Sequence, residues 1–415
     1  MKEGLMPLQP VMFDQSRLDR IRVWMDSYVE QRKYAGSSFL LRQNGSEAFF
    51  HASGLRSVEN DLPFERDTLV RIYSMTKPIT SVALMMLVER GLFHLDAPLS
   101  DFLPEFKEIR ALVPEAKSID QTEDTPAPTL HQLLTHTSGF SYPFNPGILP
   151  EAMDEQDLMF KPNQGLLADR VHDLAGLPLA FQPGTRWEYS VGTDVLGRVI
   201  EVVSGQTLAK FFEQHIFEPL GMRETGFTVS SGAGDRFASL YTPLAGDAMA
   251  LNSANQGDES LRLVDSCAGS PFFETTTFSG GGGLISTLDD YAKFANMLRN
   301  RGIGNGQRLL GPKTIEFMMR NHLPGDIASM GPKSFAEQPM EGMGFGLAGS
   351  VVLNPGRVRV PGSIGDFSWG GMASTYFWID WQNDLTAVFF TQLSPSSSYP
   401  SRAELKALVH AAMIE

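Results

Sequence analysis

Strand signals stand at both ends of this chain, and helix signals fill the middle. Residues 37–54 read SSFLLRQ, then Asn44-Gly45, then SEAFFHASG. Asn-Gly is a strong hairpin signal because both positions tolerate positive φ. Near the far end, STYFWIDW (374–381), QND and LTAVFFTQL (385–393) repeat the pattern. A lone hairpin is marginal in water. The simplest assembly is therefore one antiparallel sheet built from both ends of the chain. Residues 14–32 place Leu18, Ile21, Trp24, Met25, Tyr28 and Val29 at helical spacing. SRAELKALVHAAM (401–413) reads as a terminal helix, and the two helices are expected to cover the sheet.

Residues 93–230 are mainly helical by pattern. TLHQLLTH begins with Thr129 as an N-cap candidate, and TDVLGRVIEVVSG ends at Gly205. SIDQTEDTPAPT (118–129) and NPGILPEAMDEQD (145–157) read as loops. SGGGGLISTLDDYAKFANMLR (279–299) runs from glycines into a helix that Ser286 with Asp289, or Thr287 with Asp290, is expected to cap. The predicted fold class is α/β plus α. One discontinuous sheet domain spans 1–92 and 231–415, a helical domain spans 93–230, and the site lies in the cleft between them.

The bulk numbers narrow the partners. The 415 residues carry a net charge of −14, and no Lys/Arg-rich run is present. That balance argues against nucleic acid or an anionic membrane as partner. Cys267 is the one cysteine, so no intrachain disulfide forms, which fits a reducing compartment. Residues 1–20 lack the apolar core of a secretory signal, and no apolar run approaches a bilayer's thickness. A cytoplasmic protein is expected.

The chemistry concentrates at IYSMTKPITSVALMM, residues 72–86. Ser74 and Lys77 are three apart and share a helical face. Pro78 is tolerated only in a first helical turn, which pins Ser74 to the helix N-terminus, and Val82–Val88 is apolar at every position. A serine needs an adjacent base to act as nucleophile. A buried lysine serves when its charge is shed. Elsewhere, Tyr189 follows a Pro-Gly turn and precedes a helix. Trp369-Gly370-Gly371 precedes a strand, where bare backbone N–H groups can join that of Ser74 around an oxyanion. Taken singly, each of these has an ordinary structural reading.

Together they resemble a family. Ser74-Met75-Thr76-Lys77, LLTHTSG (133–139), Tyr189-Ser190-Val191, VVSGQTLAKFFEQHIFEPLGM and GGGGLISTLDDYAKF follow the order of serine β-lactamase-like hydrolases, relatives of class C β-lactamases and DD-peptidases. The resemblance covers roughly residues 15–410. Val191 stands where lactamases carry the asparagine of Tyr-x-Asn, and Trp369-Gly370-Gly371 replaces their Lys-Thr-Gly. Those departures resemble family VIII carboxylesterases, and also a fungal-type statin-side-chain acyltransferase. An apolar tryptophan in place of a cation suits a neutral ester.

The resemblance implies Ser74 as acylated nucleophile, Lys77 as base and Tyr189 as its partner and proton donor to the leaving alcohol. It implies an oxyanion hole from the backbone N–H groups of Ser74 and Met372. Trp369, Gly370 and Gly371, with Phe140 and Tyr142, are expected to bind substrate. Phe140, Tyr142 and Phe144 read equally well as lid packing. The expected function is a serine carboxylesterase for short-chain esters, with no metal and no cofactor. The rivals are an acyltransferase to an alcohol, a weak β-lactamase or D-aminopeptidase, and a non-catalytic binding protein.

Other motifs fall away. No serine has glycine at both i−2 and i+2, so the usual lipase elbow is missing. There is no His-Glu-x-x-His or cysteine pair for zinc, and the glycine tract lacks the Lys of a P-loop. That tract reads as close packing or cleft lining. His136 reads as a structural hydrogen-bonding histidine rather than a triad base.

Overall fold

The computed structural model describes residues 12–245, 247–248, 261–347 and 349–414. The N-terminal reading of residues 1–20 therefore falls largely outside the described residues. The central sheet draws β1 (Gly36–Gln43), β2 (Ser46–Ser57) and β3 (Leu62–Pro63) from the first part of the chain. It takes β4 (Met343–Phe345), β5 (Ser350–Val352), β6 (Phe367–Gly370), β7 (Tyr376–Asp380) and β8 (Leu385–Thr391) from the last. The eight strands run in the order β4-β5-β6-β7-β8-β1-β2-β3, and all neighbours are antiparallel. The seam is β8 on β1, with Phe389 opposite Phe39.

Both faces of the sheet are covered, which is why its central strands are apolar at nearly every position. Side chains alternate along β8. Leu385, Ala387 and Phe389 enter one core with Phe39, Leu41 and Trp378, and Val388 and Phe390 enter the other with Leu40, Phe377 and Ile379. On the first face lie α1 (Gln15–Glu30) and the C-terminal α7 (Ser401–Ala412), through Leu18, Ile21, Met25, Leu405 and Val409. Trp24 and Tyr28 both donate to one oxygen of Glu404, at 2.7 Å each, and so clasp the two helices together.

The opposite face carries α2 (Thr76–Glu89) and α6 (Leu288–Arg299). Residues Thr76–Leu87 of α2 are all buried, as an all-round apolar helix must be. Each fully buried Leu, Ile or Met there is worth about 1.5–3 kcal/mol. Between the two parts of the sheet run α3 (Leu130–Leu134), α4 (Ile148–Glu155) and α5 (Gly192–Ser204). The Thr129 cap is present as a full capping box with Gln132, and α5 ends at Gly205 with φ of 70°. Among the described residues, no helix is long and apolar enough to cross a membrane.

Three local expectations need correction. Residues 148–155, read as loop, form α4, because Leu149, Pro150 and Met153 bury one face and Pro150 still falls in the first turn. Thr122–Asp124, also read as loop, pairs with Arg110–Leu112. Neither proposed capping pair forms on α6. Thr287 is the N-cap residue but makes no capping bond, Ser286 turns to Thr225, and Asp290 accepts from Glu224 N and Lys293. Trp369 and Gly370 themselves lie in β6, opposite Phe377 and Tyr376 of β7, the strand they were expected to precede.

Candidate active site

Ser74 sits in a single 3-10 turn, Tyr73–Met75, that leads into α2. Tyr73 holds a φ of 42°, an unfavourable conformation for a tyrosine that costs on the order of 1–3 kcal/mol. The surroundings hold the turn there. Tyr291 OH donates to Met75 O at 2.9 Å, and Leu284 N donates to Thr76 Oγ1 at 3.2 Å. Lys77, in the first turn of α2, is wholly buried. Its Nζ meets three oxygens: Ser74 Oγ at 3.5 Å, Tyr142 OH at 2.8 Å and Gly281 O at 2.7 Å.

The glycine tract is close packing and cleft lining at once. Its Gly281 is held by Asp194 of α5, whose Oδ1 accepts from Gly281 N at 3.0 Å and from Ser279 Oγ. A Cβ on Gly281 would stand 2.2 Å from Asp194 Oδ2 and 2.9 Å from Tyr142 OH, so no larger residue fits. Tyr142 OH in turn donates to Asp194 Oδ2 at 3.4 Å. Burial first, then Asp194 and Tyr189, hold the Tyr142 phenol well above its ordinary value, so it stays protonated. Burial also raises the Asp194 carboxyl, against the pull of Lys77 and its three donors.

Tyr189 is placed differently from its expected partnership. The lysine Nζ lies 4.6 Å from the centre of its ring, and its buried hydroxyl has no hydrogen-bond partner among the described residues. The phenol bonded to the lysine is that of Tyr142. Asn145 Nδ2 fixes the Tyr189 carbonyl at 2.8 Å, and His136 packs edge-on against the ring at 4.7 Å. His136 Nδ1 accepts from Ser190 N at 3.2 Å, and burial holds this imidazole neutral, well below its ordinary range. It supports the tyrosine segment rather than facing Ser74.

Trp369, Gly370, Gly371 and Met372 all line the same cleft as Ser74 and Tyr189. Gly371 is clamped where a Cβ would meet Ile72 O at 2.3 Å, which brings the chain after β6 beside the serine turn. The backbone N–H groups of Ser74 and Met372 have no hydrogen-bond partner among the described residues. Phe140 is not in the cleft. It is 1% exposed and packs edge-on to Phe106 at 5.7 Å in the core. Tyr142 does line it, stacked with Phe144. The cleft holds about 630 Å³, and its walls include Met159, Phe160, Phe272, Phe335, Met340 and Tyr376.

Among the described residues, one acid–histidine cluster, Asp366, Asp380 and His410, has metal-like spacing. Lys406 Nζ already sits 2.7 Å from Asp366 Oδ2, and Ser363 and Asn383 bond Asp380, so a cation there would oppose an ammonium.

Residues 21–411 match the Beta-lactamase family. The chain belongs to the beta-lactamase family. It is 35% identical to protein Rv1367c of Mycobacterium tuberculosis over 84% of each chain. It is 31% identical to esterase EstB of Burkholderia gladioli, over 91% of this chain and 90% of that one. The solved structure of EstCE1, described as a hydrolase with promiscuous acyltransferase activity, superposes with a TM-score of 0.76 at 25% identity. That match covers 95% of this chain and 98% of the other.

This beta-lactamase family member departs from the lactamase motifs as read in its sequence. Val191 is fully buried and donates its N–H to Ser141 O, so its side chain offers the lysine nothing polar. Asp194, the Gly281 carbonyl, Phe335 and Arg402 were not singled out by sequence reasoning. Asp194 lies three residues beyond Val191 on α5, within one turn of the tyrosine motif, and that proximity was the available signal. Phe335 and Arg402 carry no local signal, because they reach the cleft from a hairpin and from α7.

Proposed function

We propose that this protein is a serine carboxylesterase hydrolysing short-chain carboxylic esters through an acyl-enzyme on Ser74. The observation that carries the reading is a wholly buried lysine amine 3.5 Å from the Ser74 hydroxyl, at the foot of an aromatic cleft. Ser74 Oγ attacks the ester carbonyl and its proton passes to Lys77. The oxyanion is received by the Ser74 and Met372 N–H groups, both otherwise unpartnered among the described residues. Tyr189, its hydroxyl unclaimed among the described residues, donates to the leaving alcohol and then orients the deacylating water. Tyr142 enters the scheme as a neutral phenol bonded to the lysine. Trp369, with Phe335 stacked on it at 6.1 Å and 11°, favours an uncharged acyl group.

In this reading the cleft separates a sheet lobe, 1–92 and 231–415, from a helical lobe, 93–230, and the single cysteine favours the cytoplasm. The test is p-nitrophenyl butyrate hydrolysis by the wild type and by Ser74→Ala, with intact-protein mass after a phosphonate inhibitor. Activity lost in the variant and one adduct on Ser74 are expected. Unchanged activity in Ser74→Ala, or an adduct elsewhere, would sink the proposal.

A second reading is transfer of the acyl group to an alcohol, favoured by the likeness to EstCE1 and by apolar walls that compete with water for the acyl-enzyme. Product ratios with and without an alcohol acceptor separate the two.

A further inference from the structure

A lysine amine that is to take a proton from serine must keep one direction free. Lys77 Nζ has three neighbours, and what decides between them is which can only accept. Gly281 O is a carbonyl and accepts one N–H. Tyr142 OH is ambiguous, since a phenol can give or take. If its hydrogen pointed at the lysine, it would occupy the lone pair that Ser74 needs.

Asp194 removes that ambiguity. Its Oδ2 lies 3.4 Å from Tyr142 OH, and a carboxylate only accepts, so the phenol hydrogen is drawn to Asp194 and its oxygen faces Lys77 as acceptor. The other carboxylate oxygen takes Ser279 Oγ–H and Gly281 N–H, which sets the Gly281 carbonyl on the lysine. Ser279 also accepts from Gly282 N at 3.0 Å, so the loop is tied on both sides of Gly281. Asp194 is 1% exposed and touches no bulk water that would relax this arrangement. The contact is tight, since even a methyl group on Gly281 would strike it.

We infer that Asp194 is a positioning residue for the base: it fixes both other partners of Lys77 as acceptors and so leaves the amine lone pair to Ser74. This rests on the acyl-enzyme reading above. The proton balance is closed. Ser74 Oγ–H passes to Nζ as the Oγ–C bond forms, and the ammonium is met by the carboxylate through Tyr142. Tyr189 gives its phenol proton to the departing alkoxide as the C–O bond breaks, and the ammonium proton restores the phenol. Besides Asp194, the titratable groups facing the lysine are Tyr142 and His136 from the 135–145 loop and Tyr189 from the segment before α5. Glu188, next to Tyr189, is turned to Ser141.

The test uses Asp194→Asn and Tyr142→Phe in the full chain. The readout is the rate of phosphonate labelling at Ser74, followed by intact mass between about pH 5 and 10. This probe needs no natural substrate, so an error in substrate class leaves it untouched. Asp194→Asn removes the charge that favours the ammonium. The acidic limb of its profile is expected to move down by about one pH unit or more, with the plateau falling on the order of tenfold or beyond. Tyr142→Phe keeps the carboxylate, so its plateau falls while its limb moves less. A folded Asp194→Asn with the limb of the wild type would overturn the inference, whatever its plateau. Should that variant not fold, Tyr142→Phe decides, and an unchanged plateau there overturns it. A wild type that takes no phosphonate at Ser74 at any pH overturns the acylation reading, and this inference with it.

Discussion

Phe335 offers the sharpest test of how the cleft chooses its ester. It sits on a two-stranded hairpin, Ser334–Phe335 paired with Gln338–Pro339. Its ring stacks on Trp369 and lies 4.9 Å from the Tyr189 ring. Phe335→Ala removes six ring carbons from the wall of a cleft of about 630 Å³. That space accepts roughly four more methylenes of acyl chain, each worth about 0.8 kcal/mol when buried. The ceiling is about 3 kcal/mol, or on the order of 10²-fold in the kcat/KM ratio of octanoate to butyrate. The cleft is open at its mouth, so a gain of about tenfold is the working expectation. Phe335 is only half-buried, so the fold should lose less than the ~3–5 kcal/mol typical of a core phenylalanine. The assay is initial rates on p-nitrophenyl acetate, butyrate and octanoate for both proteins, with thermal melts beside them. A parallel fall on all three esters, with the ratio unmoved, would refute the reasoning. Phe335 would then be bracing Tyr189 rather than bounding the acyl group.

Other consequences are as direct. Gly281→Ala should leave a folded protein with kcat down on the order of 10²-fold, because its Cβ displaces Asp194 or the loop that holds Lys77; activity near that of the wild type would contradict the packing. Arg402 pairs with the buried Glu337 at 3.3 Å. Arg402→Leu leaves that carboxylate stranded and should cost about 3–5 kcal/mol in urea denaturation, most of it recovered by adding Glu337→Leu. His131 Nε2 and His322 Nδ1 lie 3.0 Å apart, and burial lowers both pKa values below the ordinary 6.5. Folded, they bind fewer protons than unfolded, so their contribution is complete above about pH 6.5 and is lost as the pH falls through the lowered values. Urea midpoints at neutral and acid pH should show a drop that His322→Gln reduces.

The fold was legible because its signals are local and repeated. Asn44-Gly45 between alternating apolar runs, and the QND turn between two more, fix two hairpins without any knowledge of the rest. Joining them into one sheet followed from need, since neither buries itself alone. The helix at 148–155 was missed because Pro146, Gly147 and Pro150 outweigh it in any reading by composition. A proline in the first turn is nonetheless compatible with a helix, and burial of Leu149 and Met153 decides the matter. The absent capping bond on α6 has a similar origin. Thr287 occupies the capping position, but Asp290 has partners from Glu224 and Lys293 that no local pattern announces.

The site was legible only as far as motifs reach. Ser74 and Lys77 are neighbours in sequence as in space, so their spacing suffices. Tyr142 was noticed as an aromatic near a cleft, yet what distinguishes it is a 2.8 Å bond to a lysine sixty-five residues away. Phe140, two residues earlier, looked equivalent and is core. A strand would turn residues two apart to the same side, but Phe140-Ser141-Tyr142 lies in irregular backbone, where no period says which ring faces the cleft. Asp194 is the stronger case. A carboxylate near the start of a helix reads as a favourable dipole contact and nothing more. Only the absence of a side chain on Gly281, which it shares contact with across eighty-seven residues, gives its position away. A glycine tract therefore carries more functional information than its composition suggests: where a Cβ is forbidden, the group that forbids it is being held against something.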